Sequence, residues 1–382
     1  MHLLYVFPEP LPLPKARGVQ VAQFVHALAG AGARVSLACV PVAASPHPFE
    51  SIGKNLPAGV ALLHLQRGLP APLSKLRMQS NRLFLWRLGR RLERMRAAGS
   101  FPDAALVRHV KIAYGLLQRF PALPLVYEAH EVFAETASPH QRKRIERMER
   151  VVLERAALVT AISQGGADGL RRHYGIERDI PRLPSAVDYP AAVAAKPWHD
   201  AAKRIVYAGS LFPWKGVDDL LDAAALLPGF RITIVGGSSE QVDRLRSRVA
   251  AGGAEVVFTG HLAHHEVGAY LDAACIAVLP NRGEGVSQFT SPLKLFEYMA
   301  AGCAAVATDL PAFREVLGED DAAWARQGDP LSLAAAIRRV AEDASLAARL
   351  GALGRDIARG YSWQGRADHL LALVNGILGR DD

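Results

Sequence analysis

The stretch Ser291-Pro-Leu-Lys-Leu-Phe-Glu-Tyr-Met-Ala-Ala-Gly302 has the pattern of one complete helix with a defined start and stop. We predict that Ser291 is the N-cap and that Pro292 takes the first helical position, where a missing N–H costs nothing. Gly302 supplies the left-handed stop. The apolar residues 303–308 that follow predict a short buried strand, so the stretch belongs to an α/β fold.

The start of this helix suits an anion. The amides of Leu293 and Lys294 are expected to point out of the helix, where its dipole favours phosphate and the lysine adds charge. Glu297 lies just over a turn beyond Pro292, within reach of the hydroxyl groups of the same ligand. The alternative from these residues alone is an ordinary capped helix whose Glu297 faces solvent.

A second segment, residues 204–216, favours the binding hypothesis. It predicts a strand over 205–208, a glycine turn, and Lys215-Gly216 before a helix that begins at Val217. The carboxyl ends of parallel strands are where open α/β sheets bind ligands. Lys215 is then a point charge for a diphosphate, although a lone lysine after a turn is usually only solvated. The segment is not a P-loop, because Gly-x-x-x-x-Gly-Lys-Ser/Thr is absent.

The order of motifs resembles the donor-binding half of glycosyltransferase family 4, the glycosyl transferases group 1. The motifs are Gly209-Ser-Leu-x-x-x-Lys215-Gly216, Val235-Gly-Gly237, Thr259-Gly-His261 and Pro292-Leu-Lys-Leu-Phe-Glu297-Tyr-Met-Ala-x-Gly302. The resemblance implies the GT-B fold, an α/β architecture of two Rossmann-like domains whose parallel sheets face each other across a cleft. It also implies a retaining transferase that uses a nucleotide-diphosphate sugar, with UDP- and GDP-sugars as the expected donors.

The resemblance further implies a set of donor-binding residues. They are Gly18, Gly209, Ser210, Lys215, Gly236, His261, Leu262, Thr290, Ser291, Pro292, Leu293, Lys294 and Glu297. Two positions depart from the family. The family places two glutamates separated by seven residues, and the first falls on Phe289 here, while Ser210 stands where the family often has arginine. These departures leave the identity of the donor sugar open.

The predicted strand at Leu125–Tyr127 ends in a polar cluster that contains Glu128, His130 and Glu131. A lone histidine is more often structural than catalytic. The family, however, has a histidine at this strand end that contacts the donor sugar, so the resemblance assigns catalysis to His130 together with Lys215 and Glu297. Either glutamate is expected to hold the tautomer of the imidazole.

An earlier strand end carries Arg108, which we expect to contact the acceptor or a phosphate; a salt bridge is the equal alternative. The Pro-rich loop from Pro8 to Gly18 occupies the position of the family's glycine-rich phosphate loop. We interpret it as a mobile loop facing the acceptor, with Arg17 beside the acceptor and Gly18 near the diphosphate.

The sequence contains no convincing carboxylate pair of the kind that retaining glycosidases use. We therefore expect a same-face substitution in which electrostatic stabilisation of the leaving diphosphate supplies most of the rate. Asp-x-Asp is absent, so the interpretation requires no catalytic metal and no cofactor; the nucleotide sugar is a substrate.

A chain of 382 residues is long for one core and comfortable for two domains. Strands and helices alternate throughout, which favours parallel sheets. We predict an acceptor-binding domain over 1–185, a linker over 186–202, a nucleotide-sugar domain over 203–361, and a helix over 362–382 that packs back on the first domain. The three cysteines lie in apolar contexts without metal-ligand spacing, which favours a reducing compartment.

The formal charge of +8 suggests an anionic partner. Residues 75–96 contain eight basic residues and one acid, with leucines at helical spacing. This pattern is typical of an interfacial helix drawn to anionic lipid, and Lys75, Arg82, Trp86 and Arg90 are its expected contacts. The alternative is a surface helix whose leucines enter the core. We expect a saccharide or lipid-linked acceptor, as in cell-envelope polysaccharide or glycolipid synthesis, and a cytoplasmic protein at the inner face of the membrane, since no signal peptide or spanning segment is evident.

Two other classes of function remain open at this point. A nucleotide-sugar epimerase of the same architecture would bind the same donor. A non-catalytic protein that binds a nucleotide sugar or a nucleic acid would belong to a different class; the sequence has the basic pI of a nucleic-acid binder but no recognised motif, so we expect no nucleic-acid partner.

Overall fold

The computed structural model describes residues 1–13, 15–43, 47–68, 80–189, 196, 198, 203–283, 289 and 291–380. The chain divides into two units. The first unit is built from two segments, Met1–Pro184 and Trp363–Asp382, whereas the second is the continuous segment Ser185–Ser362.

Six parallel strands form the sheet of the first unit. In chain order they are β1 (His2–Leu11), β2 (Arg34–Pro41), β3 (Val60–His64), β4 (Ala104–Val107), β5 (Leu125–Ala129) and β6 (Leu158–Ala161). Their order across the sheet is β3-β2-β1-β4-β5-β6. The strand order therefore reverses between β1 and β4, which is the topological switch point of a doubly wound sheet.

Helices cover both faces of this sheet, as the long apolar runs in its strands require. The helices of the first segment are α1 (Ala16–Gly30), α2 (Asn81–Ala97), α3 (Val110–Arg119), α4 (Phe133–Thr136), α5 (Pro139–Arg155) and α6 (Gln164–Tyr174). Tyr5 of β1 is buried and packs edge-on against Phe24 of α1, with ring centroids 6.3 Å apart.

The second unit repeats the arrangement. Its strands are β7 (Arg204–Ala208), β8 (Arg231–Val235), β9 (Glu255–Gly260), β10 (Ile276–Leu279), β11 (Ala304–Thr308) and β12 (Ala323–Ala325), in the sheet order β12-β11-β10-β7-β8-β9. Its helices are α7 (Val217–Ala224), α8 (Ser239–Arg246), α9 (His264–Ala273), α10 (Leu293–Ala300), α11 (Pro311–Arg314), α12 (Pro330–Glu342) and α13 (Ala344–Arg359). The switch point of this sheet lies between β7 and β10.

The last helix, α14 (Trp363–Ile377), belongs to the first unit, where it packs against α1. Its buried residues include Trp363, whose ring lies 6.3 Å from that of Phe24. A short 3-10 turn at Pro213–Lys215 joins β7 to α7 in the second unit.

The start of the first unit differs from the sequence prediction. The first strand extends to Leu11, and α1 already begins at Ala16, so Gly18 lies inside the first turn of the helix. There, a Cβ atom would come within 2.4 Å of the Leu13 carbonyl oxygen, which explains the glycine by close packing. The prediction of a loop that runs from Pro8 to Gly18 is therefore wrong.

Candidate functional site

Glycines bring the backbone segments at the carboxyl edge of the second sheet close together. Gly216 has a φ of +69°, and a Cβ at this position would lie 1.8 Å from the Pro280 carbonyl oxygen. Gly236, with a φ of +121°, would likewise place a Cβ 2.1 Å from the Gly209 carbonyl oxygen. The segments that follow β7, β8 and β10 therefore meet by backbone contact at the switch point, without intervening side chains.

Lys215 stands at this edge, at the end of the 3-10 turn. Its Nζ lies 4.0 Å from the centre of the Trp214 ring. Burial and the neighbouring charge of Lys294 lower the pKa of Lys215 to about 8. Because the charge of Lys294 acts on Lys215, the two ammonium groups must lie near each other, although the residues are almost eighty positions apart in the sequence.

The start of α10 differs in detail from the sequence prediction. The helix begins at Leu293, with Pro292 as the N-cap residue and no side-chain cap. The hydroxyl oxygen of Ser291 instead accepts a hydrogen bond from the Ser185 amide at 2.9 Å. The Ser291 hydroxyl therefore bonds the backbone of Ser185 and not an amide of α10, so the prediction that Ser291 caps the helix is wrong.

The amides at this helix start are also not equivalent. The Leu293 amide donates to the Ser291 carbonyl oxygen at 2.9 Å, so it is not the free donor that the sequence predicted. Within the described ranges, the Lys294 amide has no backbone acceptor. Lys294 thus offers both a backbone donor and an ammonium group at the same place.

Glu297 lies one turn into α10 with little of its side chain exposed. Its Oε2 accepts from the Lys294 Nζ at 2.9 Å, and its Oε1 lies 4.0 Å from Nδ1 of His264 on α9. His264 is in none of the sequence motifs and was not predicted to be part of the site. One carboxylate oxygen is therefore held by the lysine, while the other is available to a hydroxyl donor.

Two further residues that the sequence analysis missed hold this edge together. The buried Tyr298 hydroxyl accepts from the Ala208 amide at 2.7 Å and donates to the Ala208 carbonyl at 3.1 Å. It fastens α10 to the end of β7. Arg282 donates to the two carboxylate oxygens of Asp219 at 2.9 and 2.5 Å, while its amide bonds the Trp214 carbonyl. Only the apolar context of Tyr298 and the polar run after β10 gave any signal in the sequence.

The remaining predicted donor residues occupy varied positions. Ser210 and His261 are exposed at the ends of β7 and β9, and Leu262 packs against an apolar cluster of the same unit. Thr290 lies outside the described residues. Phe289, at the position of the family's first glutamate, is 2 % exposed.

In the first unit, Arg108 and His130 follow β4 and β5 and are in contact. An Arg108 guanidinium nitrogen lies 2.8 Å from Nδ1 of His130, and Nε2 of His130 bonds the Glu128 carboxylate. Because arginine only donates, Nδ1 is the acceptor and Nε2 carries the proton. Burial and the Arg108 charge lower the pKa of His130 to about 4, against the opposing effect of Glu128, so the ring is neutral.

This geometry bears on the contact with the donor sugar that the resemblance implies for His130. Both ring nitrogens of His130 are engaged by side chains of the protein, so a hydrogen bond from the ring to a sugar hydroxyl would require one of them to be released. Glu128, rather than Glu131, holds the tautomer. The salt bridge given as the alternative for Arg108 is not found among the described residues, since the partner of its guanidinium is a histidine and not an acid.

Arg17 lies on the first turn of α1 and pairs with Glu9 at the end of β1, with N–O distances of 2.6 to 2.9 Å. Both residues are partly exposed to solvent. Arg17 is therefore paired with a carboxylate near the carboxyl end of β1, one of the two strands that flank the switch point.

Helix α2 buries the apolar residues that the sequence analysis considered for membrane contact. Leu88 and Leu92 are fully buried, as is Phe84, so this face belongs to the core of the first unit. The insertion of these leucines into a membrane is thereby contradicted. Arg82 and Arg90 are exposed, and Trp86 is 49 % exposed; Lys75 lies outside the described residues.

The exposed side of α2 forms a groove of about 500 Å³ with the edge strand β3. Its lining residues are Leu62, Leu63, His64, Leu65, Trp86, Arg87, Arg90, Arg91 and Arg94. The Arg90 guanidinium lies 5.3 Å from the centre of the Trp86 ring. In the part of the chain that the structure describes, no helix is both long and apolar enough to span a bilayer.

Two doubly wound units, one with lysines and close-packed glycines at its switch point, define the GT-B class of fold. Two family models match the chain: "Glycosyltransferase Family 4" over residues 18–189 and "Glycosyl transferases group 1" over residues 202–343. Together they cover most of the chain, one for each unit. The chain belongs to glycosyltransferase family 4.

Curated proteins similar to this chain are named as glycosyltransferases. The chain is 29 % identical to phosphatidyl-myo-inositol mannosyltransferase of Mycobacterium tuberculosis over 53 % of this chain and 55 % of that protein. It is 27 % identical to D-inositol 3-phosphate glycosyltransferase of Streptomyces avermitilis over 63 % of this chain and 57 % of the relative. The matched region spans about half the length of these curated relatives.

Solved structures show the same fold. Sucrose-phosphate synthase from Thermosynechococcus elongatus superposes with a TM-score of 0.75 at 19 % identity, with all of both chains covered. Anabaena HepE in complex with UDP and glucose gives 0.71 at 16 % identity, over 98 % of this chain and 99 % of that one. WaaG, a glycosyltransferase involved in lipopolysaccharide biosynthesis, gives 0.69 at 14 % identity, over 98 % and 100 %.

Proposed function

We propose that this protein is a retaining glycosyltransferase that moves a hexose from a nucleoside-diphosphate sugar to a hydroxyl acceptor. The observation that carries the proposal is the grouping of Lys215, Lys294 and Glu297 at the carboxyl edge of the second sheet. Membership of glycosyltransferase family 4 supports it, because that family supplies the reaction class.

The donor diphosphate is proposed to bind between the two lysine ammonium groups. Their mutual repulsion favours a bound anion, and the glycines at the strand ends let its oxygens approach the backbone. Glu297 then accepts from ribose hydroxyls through Oε1, the oxygen that the Lys294 ammonium does not hold. UDP is the first nucleotide to test, because the structural neighbour HepE binds UDP.

In the proposed reaction, the bond between the sugar's anomeric carbon and the β-phosphate oxygen breaks. The acceptor oxygen bonds to the same face of that carbon, and its proton passes to the departing diphosphate. The two lysines stabilise the negative charge that develops on the leaving group. The role proposed for His130 is that the partial negative charge of its backbone carbonyl stabilises the partial positive charge of the sugar, while both ring nitrogens stay engaged.

The acceptor is proposed to be a saccharide or a lipid-linked saccharide at an anionic membrane surface. By its name, one relative acts on phosphatidyl-myo-inositol, and the structural neighbour WaaG works in lipopolysaccharide biosynthesis. The arginines of the α2 groove and the exposed Trp86 supply charge and an aromatic ring for lipid headgroups. Any contact would be at the headgroup level, because Leu88 and Leu92 of α2 are buried in the core.

The donor site is tested by calorimetric titration with UDP, GDP and ADP, and then with the sugars of whichever nucleotide binds. Lys215→Ala and Glu297→Ala are each expected to weaken binding by about 1.5–3 kcal/mol, the usual loss for a hydrogen bond to a charged group. Lys203→Ala and Glu255→Ala are the matched controls, since both side chains lie in the same unit at the amino end of strands β7 and β9. Unchanged titrations for the first two variants would contradict the site.

The reaction itself is tested by incubating the cognate nucleotide sugar with and without saccharide acceptors. Acceptor-dependent release of nucleotide and a product with the donor's anomeric configuration, read from proton NMR couplings, are expected. Epimerised sugar formed without any acceptor would instead identify an epimerase.

The membrane contact is tested by sedimentation with vesicles of phosphatidylcholine containing one-third phosphatidylglycerol. Binding is expected to fall steeply with salt and to weaken in the Arg90→Ala/Arg94→Ala variant, at about 1 kcal/mol for each arginine removed. Arg142→Ala/Arg144→Ala on α5 removes the same charge from another exposed helix and should leave binding intact. Equal loss in both variants would point to net charge rather than to the groove.

A further inference from the structure

Arg366 of α14 is almost completely buried, with 8 % of its surface exposed. One terminal nitrogen donates to Glu128 Oε2 at 2.6 Å. The other donates to the carbonyl oxygens of Leu183 and Pro184 at 2.7 and 3.0 Å, and the guanidinium lies over the Phe24 ring at 4.3 Å. A buried arginine with this many partners is rigidly placed, since its planar fork is fixed on several sides.

The two oxygens of Glu128 have separate partners. Oε2 is held by Arg366, and Oε1 accepts the proton on Nε2 of His130. The opposite ring nitrogen accepts from Arg108. The imidazole is therefore the middle member of a chain that starts at the C-terminal helix.

The charged groups around the His130 ring have opposing effects on the pKa values of Glu128 and His130. Burial would raise the pKa of Glu128, but Arg366 and His130 lower it to about 2. The charged and titratable groups that act on the ring or on its partners are Tyr5 on β1, Arg108 after β4, Glu128 on β5 and Arg366 on α14. With Arg366 absent, Glu128 would keep one buried negative charge whose nearest partner is the imidazole, and that ring would gain affinity for a proton.

We propose that Arg366 is a positioning residue for His130: by holding Oε2 of Glu128, it directs Oε1 to the Nε2 proton, and together with Arg108 at Nδ1 this fixes the imidazole and the backbone carbonyl of the same residue. This inference rests on the proposed function, because it assigns a purpose to the placement of His130. Neither the sequence motifs nor the relatives' names assign a role to this arginine.

The test compares Arg366→Met and Arg366→Lys in the full chain. In ¹⁵N NMR of histidine-labelled protein, with His130 assigned by its loss in His130→Gln, the wild-type ring should stay in the Nε2–H form between pH 5 and 8. In Arg366→Met, its titration should move up by about one pH unit or more. The turnover rate should fall roughly tenfold or more at the pH where the ring now protonates, with a smaller change in KM for the donor, and Arg366→Lys should recover part of both.

Two further variants keep the test decisive. Arg380→Ala breaks an exposed pair with Asp103 at 3.0 Å at the same end of the chain, and it should leave the His130 signal unchanged. Should Arg366→Met fail to fold, Glu128→Gln/Arg366→Met removes both buried charges together. Arg108 still donates to Nδ1 in this variant, so the Nε2–H tautomer should persist, but the Nε2 proton should exchange with water faster than in the wild type because its acceptor is no longer charged or held. Wild-type titration and wild-type exchange of the Nε2 proton in every folded Arg366 variant would overturn the proposal, whatever the activity. A changed ring with unchanged turnover supports the positioning and counts instead against the assigned role of His130.

Discussion

At the scale of single residues, the proposed donor site contains a lysine whose pKa is lowered to about 8. Lys215 combines burial with a like-charged neighbour, and both effects favour its neutral form. A bound diphosphate reverses this balance, because it is an opposite charge at close range. The affinity of the protein for a diphosphate and the protonation of Lys215 are therefore linked.

We predict that nucleoside-diphosphate affinity falls as the pH rises through about 8, the pKa of Lys215 in the free protein. Below that pH the ammonium is charged and available to the anion; above it, binding has to take up a proton. Lys215→Arg should bind with little dependence on pH between 7 and 9.5, since arginine stays charged throughout. Calorimetric titrations across this range provide the measurement, and a wild-type affinity independent of pH would contradict the prediction.

At the scale of elements, the site is held by contacts between a helix and a strand end. Tyr298 is fully buried and bonds both the amide and the carbonyl of Ala208. Its place in the helix also fixes the neighbouring Glu297. The position of α10 on the sheet edge therefore determines where Glu297, a residue of the proposed donor site, is placed.

Tyr298→Phe is expected to lower the free energy of unfolding by about 1–3 kcal/mol, because two buried backbone groups lose a partner. Donor affinity should fall as well, although the hydroxyl makes no contact with the proposed ligand. Urea denaturation and calorimetry measure the two effects. Tyr270→Phe on α9 is the control: its hydroxyl has no hydrogen-bond partner among the described residues, so a loss of equal size there would contradict the argument.

The boundaries of the strands show how much of the fold can be predicted from the sequence. The strands β7 (Arg204–Ala208) and β11 (Ala304–Thr308) each begin one residue away from the ranges predicted, 205–208 and 303–308, and end where predicted, because each is a short apolar run. The short strand β12 (Ala323–Ala325) was not predicted, since three residues carry no detectable period.

The errors have specific physical causes. The prolines after Phe7 suggested a loop, but β1 continues to Leu11 and α1 starts three residues before the predicted position. Serine before proline suggested a cap, but the Ser291 hydroxyl is used by Ser185, which is remote in sequence. The leucines of α2 have the same spacing whether they face lipid or a core, so only the packed structure distinguishes the two.

The site was predictable only where it is local. Lys215, Lys294 and Glu297 follow from motifs within one segment each. The contact between Arg366 and Glu128 spans 238 residues and leaves no pattern in either segment. Tyr298 likewise looks like any core residue until its hydroxyl is placed.

At the scale of the whole molecule, the two units differ in their response to acid. The pKa values of His130 and His109, both in the first unit, are lowered to about 4, in each case mainly by burial. A histidine with a depressed pKa stabilises the fold above its unfolded pKa of about 6.5, and that contribution is lost as the pH falls toward 4. The depressed pKa of Glu128 adds a loss at still lower pH, from about 4.5 downward.

We predict that the first unit loses stability, on the order of a few kcal/mol, between pH 6.5 and 4, while the second unit changes less. In the second unit, the shifted pKa values of Lys215 and Cys303 act at alkaline pH, and the lowered pKa values of Asp218 and Asp309 act only below their ordinary value of 3.8. Hydrogen exchange with mass spectrometry at pH 7 and pH 5, corrected for intrinsic exchange rates, resolves the two units. His109→Gln should reduce the acid sensitivity of the first unit; earlier loss of protection in β7–β12 would contradict the prediction.

The two-segment construction of the first unit has a consequence for biosynthesis. A ribosome releases residues 185–362 before it supplies α14, so the nascent second unit has all its residues while the first still lacks one helix. Until then, the Glu128 carboxylate lacks Arg366, the charge that most favours its ionised form, and burying it without that partner is costly. The half of the protein that is synthesised first is therefore the half that matures last.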